Sequence, residues 1–424
     1  MTYEQALDII HQTPWKSHEP TLDRIRELMA LLGDPQDKLR YIHIAGSNGK
    51  GSTAALTASI LQAAGYRVGL CTSPYIHRFN ERMKINGVCV SDDELSQITE
   101  KVFAAAQKMS KTPTEFEFVN AITFEFFARH DCEIVVLEVG LGGRLDATNV
   151  IKPPIAAVIT AIGLEHTEFL GDTVEKIALE KAGIIKSGCQ VILGENPPEV
   201  RAVIEKVCSE KGVSLTCTSG SEFTVKEITP DGQTLCDSSG REYRLPLLGA
   251  HQRQNLACAL AAINAARESG FMISDEAIEK GVAAARWIGR FERLQTSPDF
   301  FVDGGHNPQC AQTIAKTITD IYGEKKVILL LGVLADKDIS GVLAPVLPMA
   351  KAVFTITPPS PRAMESEQLS ALLSEKFNVK SKCFTAISEG IKAALAAAIP
   401  DDVIIAFGSL YSVGAIREYF GKTE

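Results

Sequence analysis

YIHIAGSNGKGSTAALTASILQAAG, residues 41–65, is the stretch from which the rest of the chain can be read. YIHIAG (41–46) reads as a buried strand, and Gly51–Ala64 reads as a helix. Between them, AGSNGKGST (45–53) carries glycines at 46, 49 and 51. Glycines in a strand-to-helix turn let backbone N–H groups point inward at an anion. The helix N-terminus adds a partial positive charge, and Lys50 adds a full one. The spacing differs from G-x-x-x-x-G-K-[ST], because Gly46 stands three residues before Gly49 and Gly51 separates Lys50 from Ser52. A glycine-rich turn with an incidental lysine is the bland alternative. The strand before the loop and the helix after it favour nucleotide-phosphate binding.

Outward from this loop the chain alternates β-rich and helical stretches. RVGLCTS (67–73) reads as a strand. RMKINGVCV (82–90) reads as a hairpin, since Asn-Gly suits a type I′ turn. Asp92–Lys108, Glu115–His130 and Asp172–Lys186 read as helices, and CQVIL (189–193) as a strand. EIVVLEVG (133–140) and IAAVITAIG (155–163) are near-continuous apolar runs, as in strands covered on both faces of a parallel sheet. Residues 215–247 turn short, polar and β-prone, with a turn at Asp231-Gly232, and a helix pair follows at 250–267 and 275–286. A second alternating series includes FFVDGGHN (300–307), KVILLLGVL (326–334), KAVFTIT (351–357) and DVIIAFGSL (402–410), with a clear helix at Ser388–Ala398. The expected fold is α/β. An N-terminal P-loop domain with a mainly parallel sheet occupies residues 1–295. A smaller C-terminal Rossmann-like α/β domain follows at 296–424, with QTSPD (295–299) as the linker.

Composition narrows the function classes. The 424 residues are 45% hydrophobic and 22% charged, enough for two or three ordinary cores. A net charge of -9 argues against nucleic acid or an anionic membrane as partner, while leaving room for a locally basic site. Ten cysteines without a C-x-x-C pair read as small buried hydrophobes in a reducing compartment. The N-terminus lacks a signal-peptide pattern, and no apolar run approaches a bilayer span, so a cytoplasmic protein is expected.

A bound triphosphate calls for a divalent cation with oxygen ligands. Three places stand at expected C-terminal strand ends, where ligands gather in open α/β sheets: Ser73 in TSP, Glu138 in LEVG, and Glu165-His166 in IGLEHTEFLG. Ser73 also reads as a turn residue before Pro74. Glu138 ends an apolar strand, where an unpaired acid is costly. Imidazole is an unusual Mg²⁺ ligand.

Taken together, these segments resemble the folylpolyglutamate synthases and bifunctional dihydrofolate synthases among the Mur-ligase-like ATP-dependent ligases. The resemblance runs through HIAGSNGKGS (43–52), TSPYIHRFNERMKING (72–87), TEFEFVNAITF (114–124), LEVGLGGRLDATN (137–149) and IGLEHTEFLGDTVEKIALEKAGIIK (162–186). It continues through LGAHQRQN (248–255), GRFE (289–292), VDGGHNP (302–308), TITPPSPRA (355–363) and GSLYSVG (408–414).

That resemblance implies roles. Asn48, Gly49, Lys50, Gly51 and Ser52 would hold the triphosphate of ATP. Ser73, Glu138 and His166 would hold two Mg²⁺ ions, and Lys181 would be carbamylated. Asn255 would meet the adenine. Arg290 and Asp303 would clamp the nucleotide from the domain junction, with His306 beside them. An interdomain salt bridge is the alternative for Arg290 and Asp303. The family usually has Asp-His where this chain has Glu165-His166, a longer carboxylate beside the metals. TEFEFVNAITF would lie near the pterin. The substrates implied are ATP, L-glutamate and a folate or dihydropteroate, joined through an acyl phosphate by a monomer, with K⁺ as an optional monovalent ion. A muramyl-peptide ligase is the nearest rival, but its loop usually runs Gly-Lys-Thr, and only about 40 residues precede the loop here. A nucleotide switch without bond-forming chemistry is the rival from another class.

Overall fold

The computed structural model describes residues 1–14 and 21–423, and its contacts divide them into two compact units. The first comprises residues 1–222 and 253–285. Its strands are β1 (Tyr41–Ala45), β2 (Val68–Cys71), β3 (Met83–Ile85), β4 (Val88–Cys89), β5 (Ile134–Glu138), β6 (Ala156–Ile159), β7 (Gln190–Leu193) and β8 (Leu215–Cys217). They form one sheet in the order β4-β3-β2-β5-β1-β6-β7-β8. Pairing is parallel from β2 through β8, and β3 and β4 form an antiparallel edge. Every residue of β1, β5 and β6 is buried, as their unbroken apolar runs require. In the Asn86-Gly87 turn both residues have positive φ, so the expected hairpin forms.

The parallel order brings the C-terminal ends of β1, β2, β5 and β6 to one edge. The helix Lys50–Ala63 leaves β1 at that edge. The helix Asp275–Ala284 lies against it so closely that a Cβ at Gly281 would stand 2.4 Å from the Ile60 Cα. The helix expected over 172–186 forms as the shorter Val174–Ala182, and an additional short helix, Thr167–Leu170, precedes it. Gly171 at φ 101 ends that additional helix.

The second unit comprises residues 223–252 and 286–424. One three-stranded antiparallel sheet holds β9 (Thr224–Thr229), β10 (Gly232–Cys236) and β11 (Glu242–Leu245). A six-stranded sheet holds β12 (Glu292–Thr296), β13 (Asp299–Asp303), β14 (Val327–Leu331), β15 (Ala350–Ile356), β16 (Lys382–Phe384) and β17 (Val403–Phe407), in the order β12-β13-β17-β14-β15-β16. All its pairings are parallel except β12 with β13. The expected boundary at 295 therefore falls inside a hairpin. QTSPD turns the chain from β12 into β13, and residues 223–252 group with the C-terminal sheet. Turn and linker compositions are alike, and only strand pairing separates them.

Candidate active site

Gly46 follows β1 with its Cα pressed against β6: a Cβ there would stand 1.9 Å from the Thr160 Oγ1. The loop is tied down by Ser47 N–H and Asn48 N–H, both donating to the Ala161 carbonyl at 2.8 and 3.1 Å. Thr160 Oγ1 donates to the Asn48 carbonyl at 2.8 Å. Gly49, at φ 90, starts the helix, and a side chain there would meet the Asn255 amide at 2.3 Å. The structure thus brings Asn48, Gly49, Lys50, Gly51, Ser52 and Asn255 together at one helix N-terminus, where anion binding is favoured.

A small cavity opens beside the loop, lined by Gly46, Lys50, Val139–Gly142, Glu165, His166 and Lys181. Lys50 Nζ donates to the Gly46 carbonyl at 2.7 Å, and Lys181 Nζ donates to the same oxygen at 2.8 Å. Lys181 is 2% exposed and also donates to Glu165 Oε1 at 2.9 Å. Burial, aided by the charge of Lys50, pulls the Lys181 ammonium down to about 8, against the opposing pull of Glu165. Burial would raise the Glu165 carboxyl, but the charges of Lys50 and Lys181 outweigh it and hold it below its usual range. Glu165, in place of the expected Asp, therefore reaches Lys181 directly.

Parallel pairing of β2 with β5 carries Ser73 to Glu138, whose Oε2 accepts the Ser73 N–H at 3.0 Å. Glu138 is buried at the end of β5, next to Val139 of the cavity wall. His166 takes a left-handed backbone, φ 47, ahead of the helix Thr167–Leu170, and lines the cavity. Among the described residues no three His, Cys, Asp or Glu side chains converge as a metal cluster. A hydroxyl and a carboxylate on adjacent strand ends are the oxygen donors Mg²⁺ takes, and it draws much of its shell from phosphate and water.

Arg290, Asp303 and His306 gather in the second unit. Asp303 accepts the Phe291 and Gly305 N–H groups at 2.8 and 2.6 Å. Burial raises its carboxyl, and the nearby Arg290 opposes that rise. His306 Nδ1 lies 3.0 Å from the Gly304 carbonyl. Phe291 holds a positive φ of 45 beside them.

Several residues of the first unit's site escaped the sequence. Asn196 joins β6 to β7 by accepting Ile162 N–H at 2.8 Å and donating to the Thr160 and Gly194 carbonyls. Thr160 fixes the loop, and Asp146 ties down the cavity wall through Leu141 N–H at 2.8 Å. A polar residue ending an apolar strand is the only signal Thr160 offers. Asn196 and Asp146 are ordinary loop residues until the fold brings them in.

The sequence profile of the Mur ligase middle domain matches residues 44–263, and that of the Mur ligase glutamate ligase domain matches residues 289–410. A Bacillus subtilis protein named dihydrofolate synthase/folylpolyglutamate synthase is 35% identical over 98% of each chain. The solved Mycobacterium tuberculosis folylpolyglutamate synthase complexed with ADP and AMPPCP superposes with a TM-score of 0.88 at 33% identity, over 99% of this chain and 98% of that one. Escherichia coli FolC in complex with DHPP and ADP gives a TM-score of 0.87 at 32% identity, with the same coverage.

Proposed function

Since the chain belongs to the folylpolyglutamate synthase and dihydrofolate synthase family of Mur ligases, we propose that it spends ATP to join L-glutamate to the carboxylate of a folate or of dihydropteroate. The observation that carries this reading is the pair of lysines on one carbonyl oxygen inside a phosphate-loop cavity. Two cations so placed call for an anion between or above them.

A carboxylate is a poor acyl donor because oxide is a poor leaving group. In this reading a carboxylate oxygen attacks the γ-phosphorus of ATP. The bond to the β–γ bridging oxygen breaks, and ADP leaves. The glutamate amine then attacks the acyl carbon, loses a proton, and expels phosphate. Lys50 turns from the Gly46 carbonyl to the phosphate oxygens and offsets charge as it moves to the leaving group. The backbone N–H groups from Gly49 to Ser52 hold the phosphate chain in line, Asn48 keeps the loop anchored on Ala161 beside them, and Asn255 meets the base.

Ser73, Glu138 and His166 would hold Mg²⁺, which when bound neutralises phosphate charge. Lys181, lowered to about 8, exposes enough neutral amine to add CO₂ and release a proton. The resulting carbamate replaces a cation beside Lys50 with an anion. In the second unit Arg290 and Asp303 engage the nucleotide, and His306 stands with them. The protein works as a monomer, and its ten cysteines, none in a disulfide, are in keeping with a reducing cytoplasm. None of the described helices is long and apolar enough to cross a membrane.

Purified protein given ATP, Mg²⁺, glutamate, and either tetrahydrofolate or dihydropteroate should release ADP and form a product heavier by one glutamyl residue. Release of ADP without any need for glutamate or pterin would overturn the reading. Exchanging K⁺ for Na⁺ in that assay tests the monovalent ion.

A further inference from the structure

His43 is the one polar side chain with ring nitrogens in the buried strand β1, and it is 0% exposed. Its Nε2 lies 2.9 Å from Thr148 Oγ1. Thr148 in turn meets Asp146 twice: its N–H and its hydroxyl both donate to Oδ1, at 3.0 and 2.5 Å. The other carboxylate oxygen, Oδ2, accepts Leu141 N–H at 2.8 Å. Leu141 lines the cavity beside Lys50 and Lys181. Four residues thus link the middle of the sheet to the cavity wall.

Proton bookkeeping orients this chain of bonds. Asp146 is ringed by donors and acts as acceptor. The hydroxyl proton of Thr148 is therefore committed to Asp146, and its oxygen can only accept from His43. That places the imidazole proton on Nε2 and leaves Nδ1 bare. Nδ1 accordingly finds no hydrogen-bond partner among the described residues. Burial lowers His43 to about 3, so the ring stays neutral, as a single-proton tautomer needs.

We propose that His43 is a positioning residue for the ligase reaction: its Nε2–H locks the Thr148 hydroxyl onto Asp146, and Asp146 then holds the Leu141–Gly142 wall where the substrate acid meets the phosphate loop. This rests on the ligase reading for its kinetic consequence, though the tautomer itself does not. Without the His43 donor the Thr148 hydroxyl is free to rotate, and Asp146 loses a directional bond. A wall displaced by a fraction of an ångström misaligns the acid with the γ-phosphate while leaving the ATP cradle at Asn48–Ser52 untouched.

Five full-length variants test this, because Gln and Asn side chains place an amide donor where Nε2 and Nδ1 stand respectively. Steady-state kinetics on folded His43→Leu and Thr148→Val should show kcat down about tenfold, with KM for ATP changed less than about twofold. His43→Gln should recover to within about threefold of wild type, and His43→Asn should resemble His43→Leu. The double variant His43→Leu/Thr148→Val should be no worse than either single one. Normal kcat in folded His43→Leu, or equal rescue by Asn and Gln, overturns the proposal. Should the variants not fold, ¹⁵N NMR of the wild-type histidines decides it. A protonated Nε2 with a bare Nδ1 at His43 supports the relay, and the opposite tautomer overturns it. The NMR result stands whether or not glutamate is the amine, so failure of the ligase reading is told apart from failure of this one.

Discussion

Two ammonium groups on one carbonyl oxygen repel unless something removes or answers a charge, and at the residue scale this tension organises the site. Lys50→Ala keeps the backbone cradle but removes the full charge at the start of its helix. Its turnover should fall at least tenfold, a barrier rise of about 1.4 kcal/mol or more, in a coupled ADP assay. Lys181→Ala should be inactive in the same assay and partly restored by short carboxylates such as acetate, which bring back an anion without the side chain. Wild-type activity at fixed dissolved CO₂ should climb as pH rises through about 8, because the neutral amine that adds CO₂ gains population there. An activity flat from pH 7 to pH 9, about a unit either side of that value, would count against carbamylation.

At the scale of elements, the phosphate helix Lys50–Ala63 is held by its neighbour Asp275–Ala284. Ser59 Oγ donates to the Gly281 carbonyl at 2.7 Å, and the Gly281 Cα faces the backbone of Ile60. Intrinsic propensity says that Gly281→Ala should stabilise a helix by about 0.8–1 kcal/mol. Packing says otherwise, since the new methyl would meet backbone at 2.4 Å, and backbone cannot swing aside. We expect a net loss of about 1–3 kcal/mol in urea denaturation. A gain in stability would show that the helices part freely.

At the scale of the whole molecule, the second unit begins before its sequence punctuation. A fragment cut at 296 loses nearly all of β12 and also Phe291, whose ring lies 4.7 Å from that of Phe301. A fragment starting at 286 keeps both. Circular dichroism should show the shorter piece melting lower or without cooperativity. Acid stability belongs to this scale too. His43 sits near about 3 when folded and near 6.5 when unfolded. The unfolded chain therefore takes up the extra proton, and this contribution is intact above pH 6.5 and is lost as pH falls toward 3. The loss should be on the order of 2 kcal/mol at pH 5, and it should disappear in His43→Gln.

The phosphate loop, the buried strands around it and the family were legible in the chain itself. Each rests on local chemistry: glycines where backbone must turn, a lysine at a helix start, apolar runs too long to face water. Ser73, Glu138 and His166 stood out as polar residues at expected strand ends, whereas Lys181 was legible only through the resemblance; the fold joins Ser73 to Glu138 and puts His166 and Lys181 on one cavity. Parallel pairing of β2 with β5 carried Ser73 to Glu138, and burial lowered Lys181. The boundary at 286, the extra short helix before Gly171 and the His43–Thr148–Asp146 contacts were decided by tertiary structure alone. A strand partner, a desolvated amine and a proton's owner are set by neighbours distant in sequence, and no local pattern encodes them.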